Sequence, residues 1–287
     1  YAPAWAELAY SYMWNSAIGD MPIDVGSLLA DEAIQRALEA DPGYAWTYFV
    51  RGAKNAYNNF DFKAAAEDYQ HALQLDPGNA FLVGANGNIN RVLGRMDDSI
   101  RLYEKALELD PLIPELRDLQ GLAYYFAGPL DEAEATYRTA LTLSPEYSGG
   151  HSRVGRVLLA QGQPAEALTQ MQQETSPVYR LTGLALAYHD LDEHDKSQLA
   201  LDELIENFSD NAAFQIAEVY GYRNEKDIAF KWLEKAVEIR DSGFASVLGN
   251  PVLRKLITDP RWPVFLENLG LLEFWLEMPP EYGGPQE

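Results

Sequence analysis

Apolar and polar positions along this chain recur in a two-helix block. In DDSIRLYEKALELDP, Ser99, Tyr103 and Ala106 fall at i, i+4 and i+7, and in DEAEATYRTALTLSP Ala133, Tyr137 and Ala140 repeat the spacing. That puts a small, a large and a small residue on one helix face. The small residues admit a neighbouring helix and the tyrosine fills the remaining gap. Each such segment ends on proline. ALEADPGYAW, ALQLDPGNAF, ALELDPLIPE and ALTLSPEYSG place Pro42, Pro77, Pro111 and Pro145 at steps of 35, 34 and 34 residues. Proline cannot continue a helix and disfavours helical backbone before it, so it sets the next turn. The helix before each of these segments carries glycine in phase, at Gly87, Gly121 and Gly155. Close helix contact is a reason to place glycine there despite its cost of about 1 kcal/mol in a helix. Asp97 and Asp131 stand where the second helix of the unit begins, as N-caps or first-turn acids.

The other blocks are looser but in phase. Trp5, Leu8, Ala9 and Tyr12 mark a first helix A, and Ala30, Ile34 and Ala37 its helix B. Ala65, Tyr69 and Ala72 continue the pattern, as do Ala167, then Gly183, Ser197, Leu201 and Leu204, then Ala217, Tyr220, Ala229, Leu233 and Ala236. A period near 34 built from two helices and a Pro-ended turn resembles the tetratricopeptide repeat. The expected repeats are 1–43, 44–79, 80–113, 114–147, 148–175, 176–209 and 210–240. The resemblance implies an all-α, right-handed superhelix of about seven hairpins, whose A helices line a concave face that binds peptides or protein segments. MWNSAIGDMPIDVG, between the first two helices, is longer than the turn the unit needs and predicts a long loop.

The ends read differently. The chain opens on Tyr1 in mid-phrase, which reads as a fragment of a longer protein. Residues 241–278 predict two short helices broken by Pro251, Pro260 and Pro263. Leu253, Leu256, Trp262, Phe265 and Leu269 supply an apolar face that closes the last repeat. The text DPRWPVFLENLGLLEFWLEMPPEYGG resembles the tails of bacterial repeat regions that follow a winged-helix, adenylate cyclase or kinase domain. Residues 279–287, rich in Pro and Gly, predict a poorly ordered tail.

Charge narrows the function. Lys+Arg number 22 against 44 Asp+Glu, a net charge of −22 over 287 residues. Such a surface repels nucleic-acid phosphates and anionic membranes. The absence of cysteine removes disulfides, thiol catalysis and Cys-type zinc sites. It does not choose between compartments; the expectation is cytoplasm, with periplasm the alternative. HDLDEHD (189–195) alone gathers metal-ligand types, but it falls on an A-to-B turn, where acids satisfy free helix N–H groups. No phosphate loop, dinucleotide fingerprint, nucleophile elbow or H-E-x-x-H is present, so no cofactor, metal or catalytic constellation is expected.

The candidate site is therefore the outward side of the A helices. Asn88 and Arg91 occupy it in the third repeat, Ser152, Arg153 and Arg156 in the fifth, and Arg180 in the sixth. Basic residues are scarce here, and arginine forks bind carboxylates through two parallel hydrogen bonds. Arg153, Arg156 and Arg180 are expected to receive an acidic group of a partner, with Asn88 and Arg91 holding its backbone further along. Near the open N-terminal edge, Tyr10, Met13 and Trp14 form an aromatic patch. The sequence thus predicts a non-catalytic protein-binding scaffold or sensory module. The alternatives are a self-association module acting through the first repeat, and a small-ligand receptor or enzyme.

Overall fold

The structure, a computed structural model, describes residues 1–17 and 21–286. The described residues contain helices and turns with no strand. Seven hairpins follow in order: α1 (Ala2–Ala17) with α2 (Ile23–Ala40), α3 (Ala45–Tyr57) with α4 (Phe62–Leu75), α5 (Ala80–Val92) with α6 (Met96–Leu109), α7 (Pro114–Ala127) with α8 (Leu130–Leu143), α9 (Gly150–Ala160) with α10 (Pro164–Gln173), α11 (Pro177–Asp190) with α12 (His194–Phe208), and α13 (Ala213–Tyr222) with α14 (Lys226–Glu238). The odd-numbered helices also touch one another along the array and form its inner, concave layer.

The phase-matched glycines sit at close helix contacts. A Cβ on Gly121 would lie 2.7 Å from the Tyr137 ring, and one on Gly87 would lie 3.1 Å from Tyr103. Both tyrosines are large helix-B residues buried at those contacts. In the fifth repeat Met171 replaces the tyrosine, and a Cβ on Gly155 would lie 2.5 Å from it. From the second hairpin onward, one residue in the turn after helix A takes a positive φ: Phe60, Gly94, Gly128, Gly162, Asp192 and Asn224. That left-handed residue turns the chain back tightly. At Phe60, with φ +53°, a bulky side chain holds this conformation against its steric preference.

The long first loop is not what forms. Helix α1 runs through Ala17 and α2 begins at Ile23, directly after Pro22. Most of the expected loop is thus helical, and its centre, residues 18–20, lies outside the described residues. Pro22 starts α2 because its fixed φ suits the entry to a helix and its missing N–H is not needed there.

The C-terminal segment does more than close the last repeat. It comprises two 3-10 turns (Ser242–Ser246 and Pro251–Leu256), helices α15 (Arg261–Asn268) and α16 (Leu272–Glu277), and a 3-10 turn at Pro280–Tyr282. The first two turns pack on α13, and the first also reaches α3. Phe244 meets the Phe60 ring at 5.6 Å. Further on, Met278 fills the space beside Gly94, and the Tyr282 hydroxyl donates to Asp97 at 2.8 Å. The segment therefore joins the seventh hairpin to the second and third. The tail predicted to be poorly ordered folds back instead: Trp275 Nε1 donates to the Gly283 carbonyl at 2.9 Å. Gly283, at φ +101°, makes the turn this return needs.

Candidate functional site

The centre of the concave face holds a cavity of about 170 Å³. Its wall comes from α7 (Leu122, Tyr125, Phe126), α9 (Ser152, Arg153, Arg156), α13 (Phe214, Gln215, Glu218) and the Ser242–Ser246 turn, with Tyr179 at the rim. Arg153 and Arg156 enter it because residues three apart on α9 share one helix face.

Each predicted site residue has a definite place. Arg156 makes two parallel hydrogen bonds to Glu218, at 2.9 and 2.7 Å. Burial pulls the Arg156 guanidinium pKa down, but the pairing with Glu218 leaves it above its ordinary value. Glu218 also accepts from the Asn250 amide at 2.9 Å. Arg153 places Nε 2.6 Å from Asp118 Oδ1, outside hydrogen-bonding geometry, and its guanidinium lies over the Tyr137 ring. Burial raises the Asp118 carboxyl, and the nearby Arg153 charge opposes it only in part. Arg180 is half-buried and has no ion pair among the described residues. Asn88 donates to the Tyr57 hydroxyl at 3.0 Å and accepts from Arg91 at 2.9 Å.

Arg91 is not exposed as its position on helix A predicts. It is 2% exposed and lies against the Phe126 ring, 5.4 Å from its centroid, while Nε and Nη1 have no hydrogen-bond partner. Burial lowers its pKa. Ser152 is also buried. Two of the three groove arginines are thus already held by carboxylates of this chain, one from α7 and one from α13. Asp118 and Glu218 carried no sequence signal of their own in a chain with 44 acids.

The HDLDEHD stretch is a turn between α11 and α12, and no group of three candidate ligands gathers there or elsewhere among the described residues. Asp190 instead accepts from the Tyr222 hydroxyl at 2.6 Å.

A feature larger than the Tyr10, Met13 and Trp14 patch crosses the inner faces of the first three hairpins. Tyr10 and Trp14 of α1, Trp46 and Phe49 of α3, and Phe81 of α5 form a chain of rings 4.5–6.3 Å apart. Trp14 and Phe81 remain 55% and 43% exposed. The one signal in phase between neighbouring repeats is the aromatic second residue of α3 and α5, Trp46 and Phe81; Tyr10 and Trp14 lie late in α1 and share no such position.

Residues 50–114, 85–150 and 119–177 match the model of the tetratricopeptide repeat, so the chain carries these repeats. No curated protein matches it. Among solved structures, PilW, described as a widely conserved type IV pilus biogenesis factor, superposes with a TM-score of 0.62 at 20% identity, covering 72% of this chain and 93% of PilW. PilF of Pseudomonas aeruginosa gives 0.58 at 17% identity, covering 72% and 91%. The repeat protein TTC0263 of Thermus thermophilus gives 0.53 at 15%, covering 67% and 99%. At these identities the likeness is one of fold. No helix among the described residues is long and apolar enough to cross a membrane.

Proposed function

We propose that this chain, an array of tetratricopeptide repeats, is a non-catalytic protein-binding scaffold that takes a partner segment on the aromatic stripe of its first three hairpins. The supporting observation is the run of rings from Trp14 to Phe81 across α1, α3 and α5, exposed at both ends. Tyrosine, tryptophan and phenylalanine give large contact area with few rotamers to freeze, and they anchor protein interfaces. The middle of the concave face is less open, because residues 242–286 lie against it and two arginines there are paired. An acidic group of the partner would meet Arg180, with Asn88 near the stripe. A surface of net charge −22 favours a segment with basic residues beside its apolar anchors.

Peptide display against the folded chain tests this reading. Selected peptides should carry apolar and basic residues and lose binding to a Trp14→Ser, Phe81→Ser variant. Peptides that bind this variant unchanged would refute it. The likeness of the tail to those of bacterial regulators supports placing the array beside an effector domain. A second reading, self-association, draws on the first hairpin, where Tyr1 is 85% and Leu28 71% exposed. Sedimentation equilibrium distinguishes the two, since the self-association reading requires dimers that Leu28→Glu dissolves.

A further inference from the structure

The central cavity has a chemistry of its own, distinct from the aromatic stripe. At about 170 Å³ it is comparable to an apolar cavity of about 150 Å³ that accommodates benzene. Its floor is apolar, from Leu122, Phe126 and Phe214, and it opens beside Tyr179 and Ser242, both exposed.

The polar groups around it are unbalanced in a specific way. Every nearby buried carboxylate has an ion-pair or hydrogen-bond partner, although Asp118 Oδ1 accepts no hydrogen bond. Glu218 holds Arg156 and Asn250. Glu174 accepts from the backbone N–H groups of Gly149, Ser152 and Ser176 at 2.9–3.1 Å. Asp241 accepts from those of Phe214 and Gly243, both at 2.9 Å. Asp118 faces Arg153 and accepts from the Tyr147 hydroxyl. The groups left over at the cavity wall can all donate. Ser242, Ser246 and Gln215 line the cavity, and their side chains have no partner among the described residues. Arg91, behind Phe126, is a buried cation with two unpaired nitrogens and no carboxylate. A buried cation without a partner is costly, and a nearby anion lowers that cost.

We infer that this cavity binds a small organic monocarboxylate with a flat apolar body, of about the size of benzoate. The body lies against Leu122, Phe126 and Phe214, and the carboxylate faces Arg153, Gln215 and Ser246. A phosphate fits less well: it has no apolar body for the floor, and its second charge would lie near Asp118 and Glu218. The site uses α7, α9, α13 and the Ser242–Ser246 turn, none of which contributes to the stripe on α1, α3 and α5, so the two readings stand or fall separately.

Calorimetric titration of the full chain with benzoate tests the inference, with benzyl alcohol and inorganic phosphate titrated in parallel. Benzoate should bind, and benzyl alcohol and phosphate should each bind at least about tenfold more weakly, a difference of about 1.4 kcal/mol. Ser246→Trp, at a half-buried position with no hydrogen bond to lose, should fill the cavity and abolish benzoate binding. Ser242→Trp, at the exposed mouth, serves the same purpose should the first variant fail to fold. No benzoate heat at about 10 mM, well above a 1 mM dissociation constant, would overturn the inference. So would benzyl alcohol or phosphate binding as tightly as benzoate, or undiminished benzoate binding by a folded tryptophan variant. Peptide selection on the aromatic stripe should be unaffected by either tryptophan.

Discussion

Arg156 and Glu218 lie 62 residues apart and tie α9 to α13 across the concave face. Their side chains are 14% and 5% exposed, so both charges are largely out of water. Arg156→Met keeps most of the stem volume but leaves the Glu218 carboxylate with only the Asn250 amide beside it. Removing one partner of a buried pair costs about 3–5 kcal/mol, because the other charge stays buried and uncompensated. The residual exposure of Arg156 places this case at the lower end, about 3 kcal/mol. With a urea m-value of about 3 kcal/mol/M, the unfolding midpoint should fall by about 1 M. Adding Glu218→Gln removes the stranded charge while keeping an acceptor for Asn250. The double variant should therefore recover about 2 kcal/mol of the loss. Urea unfolding followed by circular dichroism and tryptophan fluorescence measures both, provided the two probes coincide. A single variant that loses less than about 1 kcal/mol, or a double variant whose loss is the sum of the singles, would refute the reasoning.

Two further predictions follow from local geometry. Gly121→Leu sets a side chain where even a Cβ lies 2.7 Å from the Tyr137 ring, and it should cost about 1–3 kcal/mol in the same urea assay. Hydrogen bonds from Arg261 hold the Asp259 carboxyl at about 2. Its folded value lies below its unfolded one, so its contribution to stability is complete above about pH 4 and is lost as pH falls toward 2. Carboxyl-detected NMR titration should show that midpoint, and Arg261→Gln should return it to about 3.9.

What was legible in the sequence was what repeats. Gly87, Gly121, Tyr103 and Tyr137 could be placed because each contact recurs one period later, within a single hairpin. The return of the C-terminal segment has no such signal. Asp97 and Tyr282 are 185 residues apart, and nothing in an aperiodic, Pro-rich tail specifies which turn it meets. Its apolar residues identified a closing element but left its second contact surface unknown. Arg91 turns inward behind Phe126, whereas Arg153 and Arg156 line the cavity. Their pairing was not legible, because the choice of Asp118 and Glu218 among 44 acids depends on how the superhelix curves. The first loop misled through its length, since MWNSAIGDMPIDVG exceeds the turn a repeat needs. Both flanking helices extend into it, α1 to Ala17 and α2 from Ile23 behind Pro22.

The C-terminal segment closes the concave side by reaching the third hairpin, at Gly94 and Asp97. The chain has no cysteine, so one engineered pair reports one contact. A Cβ on Gly94 would lie 3.7 Å from Met278 Cβ, within the 3.5–4.5 Å or so that a disulfide spans. In the Gly94→Cys, Met278→Cys variant, mild oxidation of dilute protein should give an intramolecular disulfide, seen as loss of both free thiols with no change in sedimenting mass. Thiols that stay free in the folded variant, or that pair only between molecules, would show that the segment does not lie there.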